Sequence, residues 1–188
     1  MFTTYLLALA LISGTPKPQV LGASSVALAS HSFSLENRYG NSFVNDVFKE
    51  NILLTVKYLG TDFTLQPGET FAFDDNVLPE YTSRVTKTTG AHFIYSEGYK
   101  SDGLLTGDGV CHLASLIYWA ATDAGLTAVA PRNHDFAKIN EVPKEYGVAI
   151  LSTDPNQNLY ITNSLDKPIT FAFNYNGTNL TVTVTEDN

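Results

Sequence analysis

The chain has 188 residues, of which 44% are hydrophobic and 12% aromatic, and it carries a formal net charge of -8 at pH 7. This length and hydrophobic content suffice for one substantial core but not for two large domains. The excess of acidic residues excludes nucleic acid and anionic membrane surfaces as main partners, because both are bound chiefly through Lys and Arg. A single cysteine excludes an intrachain disulfide and any metal site built from several thiolates.

The first 29 residues have the pattern of a targeting segment. Residues 2–12 form an apolar run that suits a signal peptide and is short for a membrane span. The Ala27-Leu28-Ala29 pattern then predicts cleavage before Ser30. Because no Lys or Arg precedes the apolar run, an uncleaved N-terminal anchor is the alternative. Both interpretations predict export, to the medium or the cell surface, with membrane contact only through an uncleaved leader.

Residues 30–188 are expected to form one domain, beginning with a helix and two strands. Apolar residues recur at helical spacing after the N-cap pair Asn41-Ser42, and Gly60 is placed to end that helix. Residues 61–65 and 70–73 have strand patterns, and the Pro-Gly turn between them predicts a hairpin. Residues 74–89 are polar and without a regular pattern, and residues 92–95 suggest a strand or a loop.

A second helix is predicted from Cys111 to Gly125. It has one apolar stripe, formed by Leu113, Leu116, Ile117, Ala120, Ala121 and Ala124. Four later runs have strand patterns: residues 148–151, 159–162, 169–173 and 180–184. Asn176-Gly177, between the last two, is a strong hairpin signal. The fold class predicted is therefore α+β, with an antiparallel sheet packed against two main helices.

Several short motifs together resemble the VanW family. The resemblance spans roughly residues 51–184, and its motifs are Asn51-Ile52, residues 67–73, residues 107–111, residues 124–126, residues 132–134, Asn163 and Pro168-Ile169. The chain departs from the family pattern at Asp108, where a third glycine is usual, at His112, where Gln is usual, and at Asp135, where Ser is usual. The resemblance implies a bacterial envelope protein of the kind found near glycopeptide-resistance genes, without an established reaction.

The residues themselves suggest a thiol site. Cys111 follows a glycine-rich turn at a helix start, where amide groups stabilise a thiolate, and His134 could act as its general base. Asp135 or Asn163 could orient the imidazole. Other residues expected to form the pocket are Gly107, Asp108, Gly109, His112 and Ser115. The alternative interpretation is structural: Cys111 is a small buried residue at a tight contact, and His134 pins a loop.

No cofactor or metal is predicted. Cys111, His112, His134 and His92 supply zinc-binding atoms, but adjacent helical residues point about 100° apart and do not converge on one ion. Asp74-Asp75-Asn76 lacks the ligand spacing of a calcium loop. The chain also lacks a phosphate-binding glycine loop and a G-x-S-x-G nucleophile elbow.

The function predicted is that of an exported envelope protein acting on, or binding, peptidoglycan or its peptides at the Cys/His pocket. Thiol-based amidase or transpeptidase-like chemistry is one form of this hypothesis. The alternative is a non-catalytic accessory module that binds peptidoglycan or glycan through the same cleft.

Overall fold

The computed structural model describes residues 25–103 and 106–187. The helices of this part are α1 (Ser42–Leu59) and α2 (Val110–Asp123). Its strands are β1 (Val26–Ser34), β2 (Asp62–Leu65), β3 (Thr70–Ala72), β4 (Val85–Lys87), β5 (Thr127–Val129), β6 (Tyr160–Thr162), β7 (Ile169–Tyr175) and β8 (Asn179–Glu186). Short 3-10 turns lie at Leu35–Asn37, Tyr95–Glu97 and Lys144–Tyr146.

The strands form two four-stranded sheets. The first has the order β1-β8-β7-β2 and is antiparallel throughout. The second has the order β4-β3-β6-β5, in which only the β3–β4 pair is parallel. The predicted α+β domain with two main helices is therefore confirmed, but its strands are divided between two sheets where one was expected.

An aromatic cluster joins the two sheets. The ring of Phe63 on β2 lies 5.0 Å from that of Phe171 in the same sheet and 4.9 Å from that of Phe71 on β3 in the other sheet. All three side chains are buried, and burial of aromatic surface is a main source of folding free energy. The predicted apolar stripe of α2 is also buried, and α2 packs against β1 and β8 of the first sheet and β5 of the second.

The ends of α1 are those predicted from the sequence. The Asn41 side chain accepts a hydrogen bond from the Val44 amide, which satisfies one of the free amides of the first turn. Gly60 ends the helix with φ of 91°, a conformation that favours glycine, and its amide donates to the Val56 carbonyl.

The predicted hairpin of β2 and β3 is wrong, although its turn forms. Gly68 has φ of 83°, and the Glu69 amide donates to the Gln66 carbonyl across the turn. However, β2 pairs with β7, and β3 pairs with β4 and β6. Asn163 lies between them, since its side-chain amide donates to the Leu65 carbonyl while its backbone amide donates to the Glu69 carbonyl.

The strand predicted at residues 148–151 is also wrong, because its backbone amides bind other partners. The Val148 and Ile150 amides donate to side chains of α2, and the amides of Ala149 and Leu151 donate to loop carbonyls. The hairpin of β7 and β8 is confirmed, with Gly177 at φ of 98° in its turn. Residues 92–95 form a loop that enters a 3-10 turn.

β1 overlaps the predicted leader. The Ala27-Leu28-Ala29 pattern lies within β1, which pairs with β8 along its length. The apolar run at residues 2–12 lies outside the described residues, and cleavage before Ser30 stays a prediction. In the part of the chain that is described, neither helix has the length and apolar character needed to cross a membrane.

Candidate functional site

Most of the predicted pocket residues meet at one cavity of about 230 Å³, which we call the Cys111 cavity. Its walls come from five segments of the chain. Lining it are Arg38, Tyr39, Phe48, residues 106–112, His134, residues 136–138, Ile150 and Leu151. The structure thus brings Cys111, His112 and His134 together with the glycine turn.

Glycine is required at two positions of this turn, because neighbouring chain segments approach the backbone closely there. A Cβ atom on Gly109 would lie 2.8 Å from the Phe48 carbonyl oxygen, and one on Gly107 would lie 2.8 Å from the Phe93 Cβ. Both glycines also have φ near 90°, which side chains rarely adopt. Asp108 between them is outside that region of φ, so this position accepts a side chain.

Asn51 fastens this turn to α1. Its side-chain amide donates to the Asp108 carbonyl at 2.9 Å and to the Lys100 carbonyl at 3.0 Å, and its oxygen accepts the Lys100 amide at 2.9 Å. Asn51 is buried, so these bonds replace those with water. Asn51 belongs to one of the motifs that carry the family resemblance, but its sequence position alone does not predict this positioning role.

The Cys111 thiol is bound to a peptide unit and is neutral. The sulfur accepts the Ile150 amide at 3.3 Å, and the thiol faces the Ile150 carbonyl at 3.9 Å. Burial raises the pKa of the thiol to about 11, and the Asp108 carboxylate acts in the same direction. At neutral pH the group is therefore a thiol rather than the thiolate that attacks substrates.

Ser115 lies one turn further along α2 and has a structural role. Its hydroxyl donates to the Cys111 carbonyl at 2.7 Å and accepts the Val148 amide at 2.9 Å. The Ser115–Val148 and Cys111–Ile150 hydrogen bonds together hold residues 148–150 against α2.

The His134 imidazole is held by a backbone carbonyl. Its Nδ1 lies 3.1 Å from the Ala137 oxygen, which can only accept, so Nδ1 is the protonated nitrogen and Nε2 has the free lone pair. Burial lowers the pKa of His134. The structure places neither predicted orienter at Nδ1: Asp135 is exposed, and the Asn163 carboxamide binds the Leu65 and Lys167 carbonyls.

His112 and Arg38 form the buried end of the site. The Arg38 side chain is fully buried and donates to the Ser34 and Asn140 carbonyls and to Glu141. Burial, followed by the charge of Arg38 and by His134, lowers the pKa of His112 to about 3. The His112 Nδ1 has no hydrogen-bond partner among the described residues. Sequence reasoning missed Arg38, because only the tertiary fold brings this loop residue to α2.

A family model matches most of the chain. Residues 48–185 match the family described as VanW like protein. The chain belongs to the VanW family. Comparison with curated proteins and with solved structures found no match. The matched region includes every motif on which the predicted resemblance rests, and it contains Cys111 and His134.

Two departures of this VanW chain from the family pattern have a structural context. Asp108 replaces the middle glycine, which is the position of the turn where φ is not positive. Its carboxylate accepts the Asp102 amide at 2.9 Å, which helps to close the turn. His112 fills the space between Phe48 and His134, with ring centroids 5.0 Å and 6.2 Å away.

A second cavity of about 540 Å³ adjoins the first. It lies between residues 134–139 and 142–147 and shares His134 and residues 136–138 with the Cys111 cavity. The Phe136 side chain stands between the two with 74% of its surface exposed and its ring 3.9 Å from that of His134. Sequence reasoning missed Phe136, although a lone aromatic residue in a polar segment beside His134 was an available signal.

His92 lies apart from the other side chains considered for metal binding, Cys111, His112 and His134. Among residues 25–103 and 106–187, no group of three or more His, Cys, Asp and Glu side chains is placed to hold a metal ion. His92 instead contacts Glu97 at 2.8 Å and Asp75 at 3.5 Å on the surface.

Proposed function

We propose that this VanW family member is an exported envelope protein that binds peptidoglycan peptides in the Cys111 cavity without using Cys111 as a nucleophile. The observation that carries the proposal is the state of the thiol. Its hydrogen bonds run to the Ile150 peptide unit, and its pKa of about 11 keeps it protonated. Such a thiol serves as a wall of the cavity and fixes the segment opposite it.

The Cys111 cavity of about 230 Å³ adjoins the cavity of about 540 Å³ at His134, and the chemistry of its walls suits a short peptide. Phe48, Val110 and Ile150 supply apolar surface, while two neutral imidazoles supply polar contacts. Arg38 lines the same cavity with its guanidinium paired to Glu141 at 3.3 Å, and Asp108 is also a lining residue. Apolar surface beside neutral hydrogen-bonding groups favours the side chains and backbone of a short peptide. The choice of a wall peptide rests on family membership and on the predicted export.

A second candidate function, thiol catalysis, is favoured by one observation. Because His134 Nδ1 donates to the Ala137 carbonyl, the free lone pair of Nε2 is available to accept a proton. Catalysis would require the thiol to leave Ile150 and meet this imidazole. In the described residues the sulfur makes both of its hydrogen bonds to Ile150 instead.

The test is titration calorimetry with a synthetic stem pentapeptide, followed by mass spectrometry of the peptide. We expect binding by the wild type and by Cys111→Ser, which keeps a hydrogen-bonding group at this position, with no product formed by either. Phe136→Ala should weaken binding about tenfold, since it removes an exposed aromatic wall without disturbing the core. Phe43→Ala is the matched control, an exposed aromatic residue outside the cavity.

Absence of peptide binding would overturn the proposal. A cleaved or rearranged peptide that disappears in Cys111→Ser would establish the catalytic alternative in its place.

A further inference from the structure

A groove of about 390 Å³ lies between α1 and residues 95–101, outside the Cys111 cavity. This volume is within the roughly 300–1,000 Å³ typical of small-ligand sites. Phe43 and Tyr95 stand on its two walls, and Asp46, Glu50 and Lys100 also line it. We call it the aromatic groove.

Its aromatic rings are unusually exposed. Phe43 has 64% of its surface exposed and Tyr95 has 68%. Phe43 lies in the first turn of α1, and Asp46 and Glu50 follow it on the same side of the helix at i+3 and i+7. Exposed rings beside polar groups in a concavity are a binding arrangement rather than a core arrangement.

The groove is fixed to the Cys111 cavity by Asn51. The same buried carboxamide binds the backbone of Lys100, in the groove wall, and the carbonyl of Asp108, in the cavity wall. Lys100 also forms an ion pair with Glu50, which ties its side chain to α1. A ligand that bound both sites would therefore meet two surfaces held in one geometry.

We propose that the aromatic groove binds a neutral oligosaccharide, the glycan part of the ligand whose peptide enters the Cys111 cavity. The C–H faces of pyranose rings are apolar and pack on aromatic rings, while the carboxylates of Asp46 and Glu50 accept hydrogen bonds from sugar hydroxyl groups. Because Asp46 and Glu50 are acidic, the groove favours a neutral sugar over an anionic one. The choice of a wall glycan rests on the proposed function.

The test uses the β-1,4-linked N-acetylglucosamine tetramer as probe, with binding measured by titration calorimetry on the full chain. Phe43→Ala and Tyr95→Ala should each weaken binding about tenfold. The ring-preserving variants Phe43→Tyr and Tyr95→Phe should bind as the wild type does. Because both side chains are exposed, thermal unfolding should be nearly unchanged in all four variants.

No binding of the tetramer at millimolar concentration, or equal binding by the alanine variants, would overturn the inference. The stem pentapeptide separates this failure from that of the proposed function. If the peptide binds and the tetramer does not, the inference about the aromatic groove is overturned and the proposed function stands. If the tetramer binds in a way that depends on Phe43 and Tyr95, the inference is supported even where the peptide fails to bind.

Discussion

The Cys111 sulfur and the Ile150 peptide unit are bound to each other, with the amide nitrogen 3.3 Å and the carbonyl oxygen 3.9 Å from the sulfur. This contact joins the start of α2 to an extended segment that would otherwise be free to pair with a strand. It also places the thiol where its ionisation is opposed by burial and by the nearby Asp108 carboxylate. The contact with Ile150 thus accounts for the local fold. The low reactivity expected of the thiol comes from burial and from Asp108, which outweigh the opposite effect of the Ile150 amide on the thiol pKa.

His112 makes the protein less stable in acid. The pKa of His112 is lowered from 6.5 to about 3, chiefly by burial and then by Arg38 and His134. Below pH 6.5 this histidine is therefore protonated in the unfolded chain but stays neutral in the folded chain, and the proton bound by the unfolded chain lowers the free energy of unfolding. The contribution of His112 is present above pH 6.5 and is lost as pH falls. The difference in free energy of unfolding between wild type and His112→Gln should therefore be about 2 kcal/mol less in favour of the wild type at pH 5 than at pH 7. Urea unfolding at both pH values measures this, and a constant difference would contradict it.

Asp74 has the opposite effect. Burial raises the pKa of its carboxyl to about 7, and its Oδ2 has no hydrogen-bond partner among the described residues. Since a raised folded-state pKa gives stability at low pH that is lost as pH rises, wild type should lose about 2 kcal/mol relative to Asp74→Asn between pH 5 and pH 7.5. The same urea series measures this. Parallel profiles for the two proteins would show that Asp74 ionises normally.

Gly109 should tolerate no side chain. A Cβ at this position meets the Phe48 carbonyl oxygen at 2.8 Å in a backbone with φ of 99°, so Gly109→Ala has to displace α1. We expect it to lower the free energy of unfolding by about 3 kcal/mol or more. Gly68→Ala is the matched control, because its φ is 83° and nothing lies within 4 Å of the added Cβ. It should cost about 1 kcal/mol, from backbone strain alone. Equal losses would show that the contact with Phe48 is unimportant.

The leader prediction can be tested on protein isolated from cells that express the full chain. Cleavage before Ser30 removes the pairing of residues 26–29 with β8, at positions that are exposed or half-buried on an edge strand. The shortened chain should remain folded, with a melting temperature lower by roughly 2–4 °C for each kcal/mol that this pairing contributes. Intact-mass measurement of that protein should give a chain beginning at Ser30. A chain that retains residues 2–12 would instead establish the uncleaved anchor.

The elements that the sequence predicted correctly are those whose signals are local. Asn41 and Gly60 bound α1 through contacts within their own turns, and Gly177 sets the turn of β7 and β8. The errors concern partners distant in sequence. The Pro-Gly turn after β2 forms as expected, but Asn163 binds the chain on both sides of it and directs the two strands into different sheets.

In the candidate site, too, the residues with local sequence signals were predicted and those that depend on distant contacts were not. Gly107, Gly109 and Cys111 were predicted because backbone conformation and helix position can be inferred from neighbouring residues. Arg38 was not predicted, because it reaches the cavity from a loop more than seventy positions before Cys111 in the sequence. The orienter of His134 is a backbone carbonyl, which no side-chain motif encodes.

The most direct test of the central claim, that Cys111 is a neutral wall of a binding cavity, is the rate of iodoacetamide alkylation against pH in the wild type and in His134→Ala. We predict slow alkylation at pH 7.5, a rate that rises towards the pKa of about 11, and the same profile in both proteins. A thiol pKa below the free value of about 8.5 that climbs when His134 is removed would contradict the claim and identify an activated Cys–His pair.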